Sequence, residues 1–488
     1  MRSSLVKHLW LIQPGELSEG VMPIDAAGGF TVHFSPAWDL LCLRAFVLDR
    51  TGHTCTFIDT RLHERLDAAF EEAEEELPPN SAFMAVIYTE THLLPSVGEI
   101  IRYLQEHHPG MPVTLFGPHV SAFPETIDLI PGVDFALCGD PEVKLRHLLD
   151  SLDVTHRQKL IPGLIVPGVV KKPPQWAADL RAFSLPDWQS MDWSDYRHDP
   201  AVRGAHIEIR MSRGHPGTPA DVAWPGAEEP FRAWPMDRMA KTLQRCPGNG
   251  INEVCFIDPP GFWTDERLND WLNQLRTLRS TQEWSFQMIA RDLPDAIITE
   301  LGLHGCHRIE IIIPTTDPRR QAELGMDITT AQLESLVNRL RNVAVAPQLI
   351  FWVEGPWKVE DEAEKIIALI KELGRPSFAV YPFPFNHSAP LYRTVIETGG
   401  HPPPLEDWVA AAQQPESAAA SPVNLWGGTK GQARLEETMR LLHRRIAKDP
   451  MRALQRWLPV GDVSLRDFFE ERALSIWHRM TEKSGERK

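Results

Sequence analysis

Short apolar segments of strand length alternate with segments of helical periodicity along most of this 488-residue chain. In the first part, the pattern predicts strands at 5–12, 54–58, 83–88, 113–116 and 133–138, and helices at 38–50, 97–107 and 143–152. Repeated strand–helix–strand units favour a parallel sheet that is covered by helices on both faces. Residues 1–152 are therefore predicted to form a doubly wound, Rossmann-like α/β domain.

A second alternating series follows residues 153–204, which are rich in Pro and Trp and are predicted to be a linker. Its strands are predicted at 206–211, 253–257, 285–289, 308–313, 348–353 and 377–381, and its helices at 236–244, 265–278, 295–303, 330–341 and 360–373. Six such strands predict a partial parallel (β/α) barrel over 205–395. Residues 396–488 are predicted to be a flexible link, rich in Gln, Ala and Ser at 410–421, and then a small helical region with helices at 434–447 and 465–480.

Charge and composition exclude several classes of partner. The net charge of −16 argues against nucleic acid, because broad phosphate binding needs a basic face. No apolar run approaches the roughly 18 residues of a membrane helix, and the N-terminus has no segment of signal-peptide type. The six cysteines lie far apart and no pair has Cys-x2-Cys spacing. These features predict a reduced cytoplasmic protein without a membrane span, whose free thiols are buried.

Several short motifs occur in a consistent order along the two predicted domains. They are Gly-Pro-His-Val at 117–120, Cys-Gly-Asp-Pro-Glu at 138–142, Ile-Pro-Gly-Leu at 161–164 and Arg-Gly at 213–214. The set resembles the cobalamin-binding radical-SAM proteins, where SAM is S-adenosylmethionine, over roughly residues 5–395. Each motif alone is weak, and the specific feature is their shared order across two domains.

The resemblance implies a cobalamin site beyond the carboxyl ends of the N-terminal strands, where open parallel sheets bind ligands. Threonine and acidic side chains would hydrogen-bond the cofactor, and Gly117 would let the backbone approach it closely. Pro118 departs from the family's glycine, and the Asp-x-His-x-x-Gly loop of many cobalamin domains is missing. The alternative is that these are ordinary turn residues of an empty domain. The implied contacts are Thr89, Glu90, Thr91, Gly117, Pro118, His119, Gly139 and Asp140.

The loop after Arg213-Gly214 departs most strongly from the family. Radical-SAM chemistry needs a Cys-x3-Cys-x2-Cys loop, because three thiolates hold the iron–sulfur cluster and set its potential. The corresponding positions here are His215, Pro219 and Val222, and no cysteine lies between residues 138 and 246. An iron–sulfur cluster is therefore not expected, and SAM binding is left open.

His215 has two interpretations. It could belong to a different metal site together with Asp221 and His206, or it could be a loop histidine without a metal. Because a metal site needs three or four convergent ligands, no metal is the favoured expectation.

Six tryptophans also fall near predicted barrel strands or tips: Trp224, Trp234, Trp263, Trp284, Trp352 and Trp357. Such residues more often fill a core, although they could line a pocket for an aromatic or lipid-like substrate.

Three functions are compatible with these observations, and no catalytic residue is assigned. The favoured one is a cobalamin-binding accessory or partner subunit, a pseudoenzyme in a biosynthetic pathway, with an intact radical-SAM enzyme as one candidate partner. The second is a cobalamin-dependent enzyme, such as a methyltransferase, that works without radical SAM cleavage. The third is a structural scaffold without a ligand. Fold resemblance does not choose among them, because function resides in the site.

Overall fold

The computed structural model describes residues 6–15, 24–25, 35–63, 65–75, 82–152, 158, 160–169, 173–186, 188, 191–193, 196, 205–224, 229–280, 282–357, 359–414 and 425–447. Strands and helices are numbered in chain order. The N-terminal sheet has the order β3-β1-β4-β5-β6-β7 and is parallel except for β7. Its strands are β1 (His8–Gln13), β3 (Thr54–Asp59), β4 (Ala82–Tyr88), β5 (Val113–Phe116), β6 (Phe135–Leu137) and β7 (Leu164–Ile165).

Helices cover both faces of this sheet, because its central strands carry apolar side chains on both sides. All four residues of β5 are buried, as are the last five residues of both β1 and β4. This pattern is typical of a parallel strand that lies between two helical layers. The helices are α1 (Trp38–Arg50), α2 (Leu66–Glu75), α3 (Leu94–His107), α4 (Pro118–Ala122) and α5 (Pro141–Ser151).

The second sheet is a six-stranded parallel half-barrel with the order β15-β14-β13-β12-β11-β8, and the short strand β2 (Ile24–Asp25) pairs antiparallel with β15. Its strands are β8 (Ala205–Ile209), β11 (Ile251–Phe256), β12 (Glu283–Ile289), β13 (Cys306–Ile313), β14 (Ala346–Val353) and β15 (Ser377–Pro382). The surrounding helices are α6 (Met236–Leu243), α7 (Asp265–Leu278), α8 (Asp295–Leu303), α9 (Pro318–Glu323), α10 (Thr330–Asn342), α11 (Glu362–Glu372) and α12 (Pro390–Glu397).

The two faces of the half-barrel differ in polarity. Ile207, Ile209 and their register partners pack into an apolar core with the surrounding helices. Because side chains alternate along a strand, the intervening residues lie on the inner face. There the register brings Glu208, Cys255, Ser285 and Arg308 into one row across four strands, so the inner face is polar.

The fold predicted from the sequence is confirmed: a Rossmann-like parallel sheet is followed by a parallel half-barrel. The domain boundaries at 152, 204 and 395 remain predictions. Two segments are more structured than predicted. The linker 153–204 contributes β7 to the first sheet, and it buries Trp188, Trp193 and Tyr196 in the half-barrel core.

The flexible link predicted at 410–421 is wrong over its first residues. Helix α13 (Leu405–Gln413) runs into it and packs on α3, where Gly98 leaves room for the backbone of Ala412. Helix α14 (Gly428–Ala447) begins earlier than the predicted 434–447, and the helix predicted at 465–480 lies outside the described residues. Among the described helices, none combines the length and apolar character needed to cross a membrane.

Candidate functional site

A cavity of about 720 Å³ lies where the N-terminal domain faces the open end of the half-barrel. Its walls come from α4, from the residues that follow β8, and from the segment 387–397 that contains α12. This volume falls within the ~300–1,000 Å³ of small-molecule sites. Prominent lining residues are Asp39, Pro118, Phe123, Trp176, Arg210, Arg213, Trp224, Glu229, His387 and Tyr392.

An ion-pair cluster joins the two domains beside this cavity. Arg213 lies on β9 (Ser212–Arg213), which pairs antiparallel with β10 (Arg232–Ala233). Its guanidinium contacts three carboxylates of the N-terminal domain: Nε is 3.0 Å from Asp39 Oδ1, Nη1 is 2.9 Å from Asp140 Oδ1, and Nη2 is 2.6 Å from Glu142 Oε1. The same guanidinium lies over the rings of Phe183 and Trp234.

A second arginine extends this cluster. Nη1 of Arg232 is 2.5 Å from Asp140 Oδ2, and its Nη2 is 2.6 Å from Glu229 Oε1. The backbone N–H of Ala177 also donates to Asp140, so that carboxylate already accepts from three donors within the protein. We call Arg213, Arg232, Asp39, Asp140, Glu142 and Glu229 the interdomain clamp.

Burial raises the pKa of the clamp acids, whereas pairing with arginine lowers it. Burial works to raise the pKa of Asp140, but Arg213 and Arg232 hold it below its usual value. Burial dominates for Glu142, whose pKa is raised despite its contact with Arg213. Burial also raises the pKa of Glu229 to about 7, so this carboxyl at the cavity wall exchanges its proton near neutral pH.

The histidine of the Gly-Pro-His-Val motif is held away from the cavity. The ring of His119 lies between two hydroxyl groups, with Nδ1 3.1 Å from Thr91 Oγ1 and Nε2 2.9 Å from Thr126 Oγ1. The side chain is 1% exposed. Burial, and then the charge of His387, lower the pKa of His119 to about 3, so the ring is neutral at pH 7.

The glycines of the predicted cobalamin loops, Gly117 and Gly139, lie against the backbone of other segments of the chain. Gly117 has φ of +121°, and a Cβ there would lie 2.7 Å from the carbonyl oxygen of Thr89. A Cβ on Gly139 would meet the carbonyl oxygen of Gln175. Thr89 is fully buried, and Glu90 accepts a hydrogen bond of 2.6 Å from the Tyr88 hydroxyl.

Of the eight predicted cobalamin contacts, only Pro118 lines this cavity. Thr91 and His119 form a buried hydrogen-bonded cluster, and Asp140 is bound to Arg213 and Arg232 in the interdomain clamp. The contacts with cobalamin remain predictions.

The loop at the family's cluster position is closed by its own hydrogen bonds. Asp221 Oδ2 accepts from the backbone and hydroxyl of Thr218, which caps the short 3-10 helix Pro219–Asp221. Asp221 Oδ1 accepts from the backbone N–H of Gly261 at 3.1 Å, and Val222 accepts through its carbonyl from Leu391 N–H. Asp221 thus stabilises the turn and is not available as a metal ligand.

Two of the three positions predicted to correspond to cluster cysteines, Pro219 and Val222, have no ligating side-chain atom. At the third, His215 Nδ1 accepts a hydrogen bond from Gly217 N–H, and Nε2 is buried without a hydrogen-bond partner among the described residues. Within the described part of the chain, no three His, Cys, Asp or Glu side chains are grouped as a metal site would require. The donor set does not fit a cluster of the radical-SAM type.

The cysteines do not supply the missing thiolates. All six are free, and five are buried. Burial raises the pKa of Cys55 to about 11 and also raises the pKa of Cys42, Cys246, Cys255 and Cys306. Their thiols are therefore protonated near neutral pH, unlike cysteines that ligate metal.

Sequence reasoning named Pro118 and Trp224, which line the cavity, but missed other residues that open onto it. Trp234, Trp263 and Trp284 lie in the core, the role that the sequence analysis favoured for the tryptophans, whereas Trp224 lines the cavity wall. Arg210 was not singled out, although it directly follows β8, at the carboxyl end of a parallel strand where ligands bind.

The fold matches solved cobalamin-dependent radical-SAM enzymes. TsrM, a radical SAM methyltransferase from Kitasatospora setae solved with cobalamin and a 4Fe-4S cluster bound, is 15% identical, and the match covers 81% of this chain and 75% of TsrM with a TM-score of 0.58. OxsB, solved with aqua-cobalamin and SAM bound, is 11% identical over 98% of this chain and 80% of OxsB, also with a TM-score of 0.58. No family model and no curated relative matches the sequence. At these identities the likeness establishes the fold.

Replacing Arg213 with Met should destabilise the protein strongly, because the buried Asp140 and Glu142 and the partly exposed Asp39 would lose their shared partner. Removing one member of a buried ion pair costs about 3–5 kcal/mol. The matched control is Arg276→Met, which breaks the exposed pair with Glu300 and should cost far less. Urea unfolding at neutral pH compares the two, and equal losses would contradict the role of Arg213.

The buried His119 should make the protein sensitive to acid. Its pKa is lower in the folded than in the unfolded state, so stability falls as the pH drops below the unfolded value of about 6.5 and unfolded chains take up the proton. Between about pH 7.5 and pH 5, the wild type should lose about 2 kcal/mol more than His119→Gln, whose amide cannot titrate. Parallel pH profiles from urea unfolding would refute this expectation.

Proposed function

We propose that this chain is a small-molecule-binding accessory protein, built on the frame of the cobalamin-dependent radical-SAM enzymes, that does not cleave SAM reductively. The proposal rests on the hydrogen bonds and ion pairs that the loop 213–222 makes within the protein. Its first residue is locked into the interdomain clamp, and its middle is closed by Asp221. In this loop Pro219 and Val222 have no ligating side-chain atom, and His215 Nε2, which has no hydrogen-bond partner among the described residues, is one imidazole donor where a cluster needs three thiolates.

The side chains that stand in place of the cysteines in this loop also support the loss of the cluster. A cluster site presents three thiolates and leaves one iron open for SAM. Here the loop presents a proline, a valine and one imidazole, and the six thiols lie elsewhere in the chain. Several independent changes would be needed to restore the site.

The cavity supports a binding role. It lies between the domains, at the carboxyl ends of β5 and β8, which is where ligands bind to both of these architectures. Its walls combine two indoles with arginine, histidine and tyrosine side chains, a mixture typical of small-molecule sites. An accessory role would use this site to hold a ligand for a partner enzyme, and an intact radical-SAM enzyme is the first partner to test.

Anaerobic reconstitution with iron and sulfide tests the loss of radical chemistry. We expect no stoichiometric cluster, no 4Fe-4S absorption and no cleavage product when SAM and a reductant are added. An intact radical-SAM enzyme treated in parallel is the control for the procedure. A stoichiometric cluster together with a SAM-cleavage product would refute the proposal.

A second candidate is a corrinoid-dependent protein, such as a methyltransferase that works without radical cleavage. It is favoured by the shared frame with TsrM and OxsB, both solved with cobalamin bound. It predicts that protein produced with cobalamin supplied carries a corrinoid in a 1:1 ratio, visible by absorption spectroscopy. Protein that stays colourless, also after incubation with aqua-cobalamin, would eliminate this candidate and leave the first unaffected.

A further inference from the structure

Arg210 differs from the other arginines at the domain interface. It follows β8 and lines the cavity, on the same strand face as Glu208. Arg213 contacts three carboxylates and Arg232 contacts two, whereas no described carboxylate lies within 4.0 Å of the Arg210 guanidinium. Its Nε is buried and has no hydrogen-bond partner among the described residues. A guanidinium in this position has unused donors.

The acids nearest to Arg210 are engaged elsewhere. Asp39 is bound to Arg213, and Glu90 accepts from the Tyr88 hydroxyl. Asp258 accepts from the backbone N–H of Met211 at 2.9 Å and from the hydroxyl of Ser212 at 2.6 Å. These carboxylates act on Arg210 through space without contacting it. Arg210 is partly buried, and a bound anion in contact with its guanidinium would add the charge-assisted hydrogen bonds that these carboxylates do not make.

Trp224 defines the surroundings of this charge. The Arg210 guanidinium lies 5.4 Å from the centroid of the Trp224 ring, which also lines the cavity. A second indole, Trp176, lines the cavity as well and lies under the Arg232 guanidinium. Indole faces accept planar apolar groups by stacking. The cavity therefore offers indole surface beside a guanidinium that no described carboxylate contacts, and the exposed Arg393 also lines it.

The remaining walls limit the charge of the occupant. Asp39, Glu229 and Glu397 also line the cavity, and each would repel an additional negative group. Of the cavity acids, Asp39 and Glu229 already have arginine partners. The cavity arginines are Arg210, Arg213 and Arg393, equal in number to these three acids. This balanced lining suits a ligand with a single anionic group better than a nucleotide or another polyanion.

We propose that Arg210 and Trp224 form the receptor for a small planar monocarboxylate in the interdomain cavity. The carboxylate would accept from the planar guanidinium fork, which matches its geometry, and the ring would stack on indole. This inference rests on the proposed binding function and names the chemical class of its ligand.

The test uses 2-naphthoate as the probe and the neutral 2-naphthamide as its matched control, with binding to the full chain measured by titration calorimetry. We expect the acid to bind more tightly than the amide, and Arg210→Gln to weaken the acid by about tenfold or more while leaving the amide unchanged. Arg276→Gln, on the surface, should bind both as the wild type does. Trp224→Leu should weaken both compounds.

Each other outcome would overturn the proposal. Equal binding of acid and amide, with no effect of Arg210→Gln, would show that the cavity binds ligands without this receptor. Failure of both compounds to bind at millimolar concentration would reject this ligand class. Neither result depends on the cluster reconstitution, so the two proposals can fail separately.

Stability provides a readout that needs no ligand. Because no described carboxylate contacts Arg210, Arg210→Met should lower the midpoint of urea unfolding much less than Arg213→Met does. A loss as large as that of Arg213→Met would show that Arg210 has a structural partner and would overturn the proposal.

Discussion

The guanidinium of Arg213 connects the two halves of the molecule. It binds Asp39 at the start of α1 and Asp140 and Glu142 at the start of α5, three acids that sequence separates from it by 71 to 174 residues. Buried charges are tolerated only when paired with good geometry, so this contact defines a narrow range of interdomain arrangements. The contacts of Arg213 therefore help to fix where the half-barrel, the cavity and the loop 213–222 lie relative to the N-terminal domain.

The clamp also explains why two neighbouring arginines have different roles. Arg213 contacts three carboxylates and holds the domains together, whereas no described carboxylate contacts Arg210, three residues earlier at the cavity wall. Because Asp39 is bound to Arg213, it acts on Arg210 only through space. The pairing that stabilises the interface thereby leaves a cation available for a ligand.

Much of the fold could be predicted because its signals are local. The periodicity of 38–50 gave the bounds of α1, and the apolar runs at 113–116 and 308–313 gave β5 and most of β13. The missed elements depend on partners that are distant in sequence. The strand Leu164–Ile165 exists through its pairing with β6, and α13 is positioned by the space that Gly98 leaves on α3.

The sequence by itself determined that the chain is a doubly wound domain followed by a half-barrel, and that the loop 213–222 contains no cysteine, because periodicity and residue identity are properties of short segments. It also led to Gly117 and Gly139 as predicted ligand contacts, since a glycine in a loop does not reveal what approaches it. Only the tertiary structure showed that the backbones of Thr89 and Gln175 lie close to these glycines. It likewise decided that described carboxylates contact Arg213 but not Arg210, because pairing depends on acids brought together from distant parts of the chain.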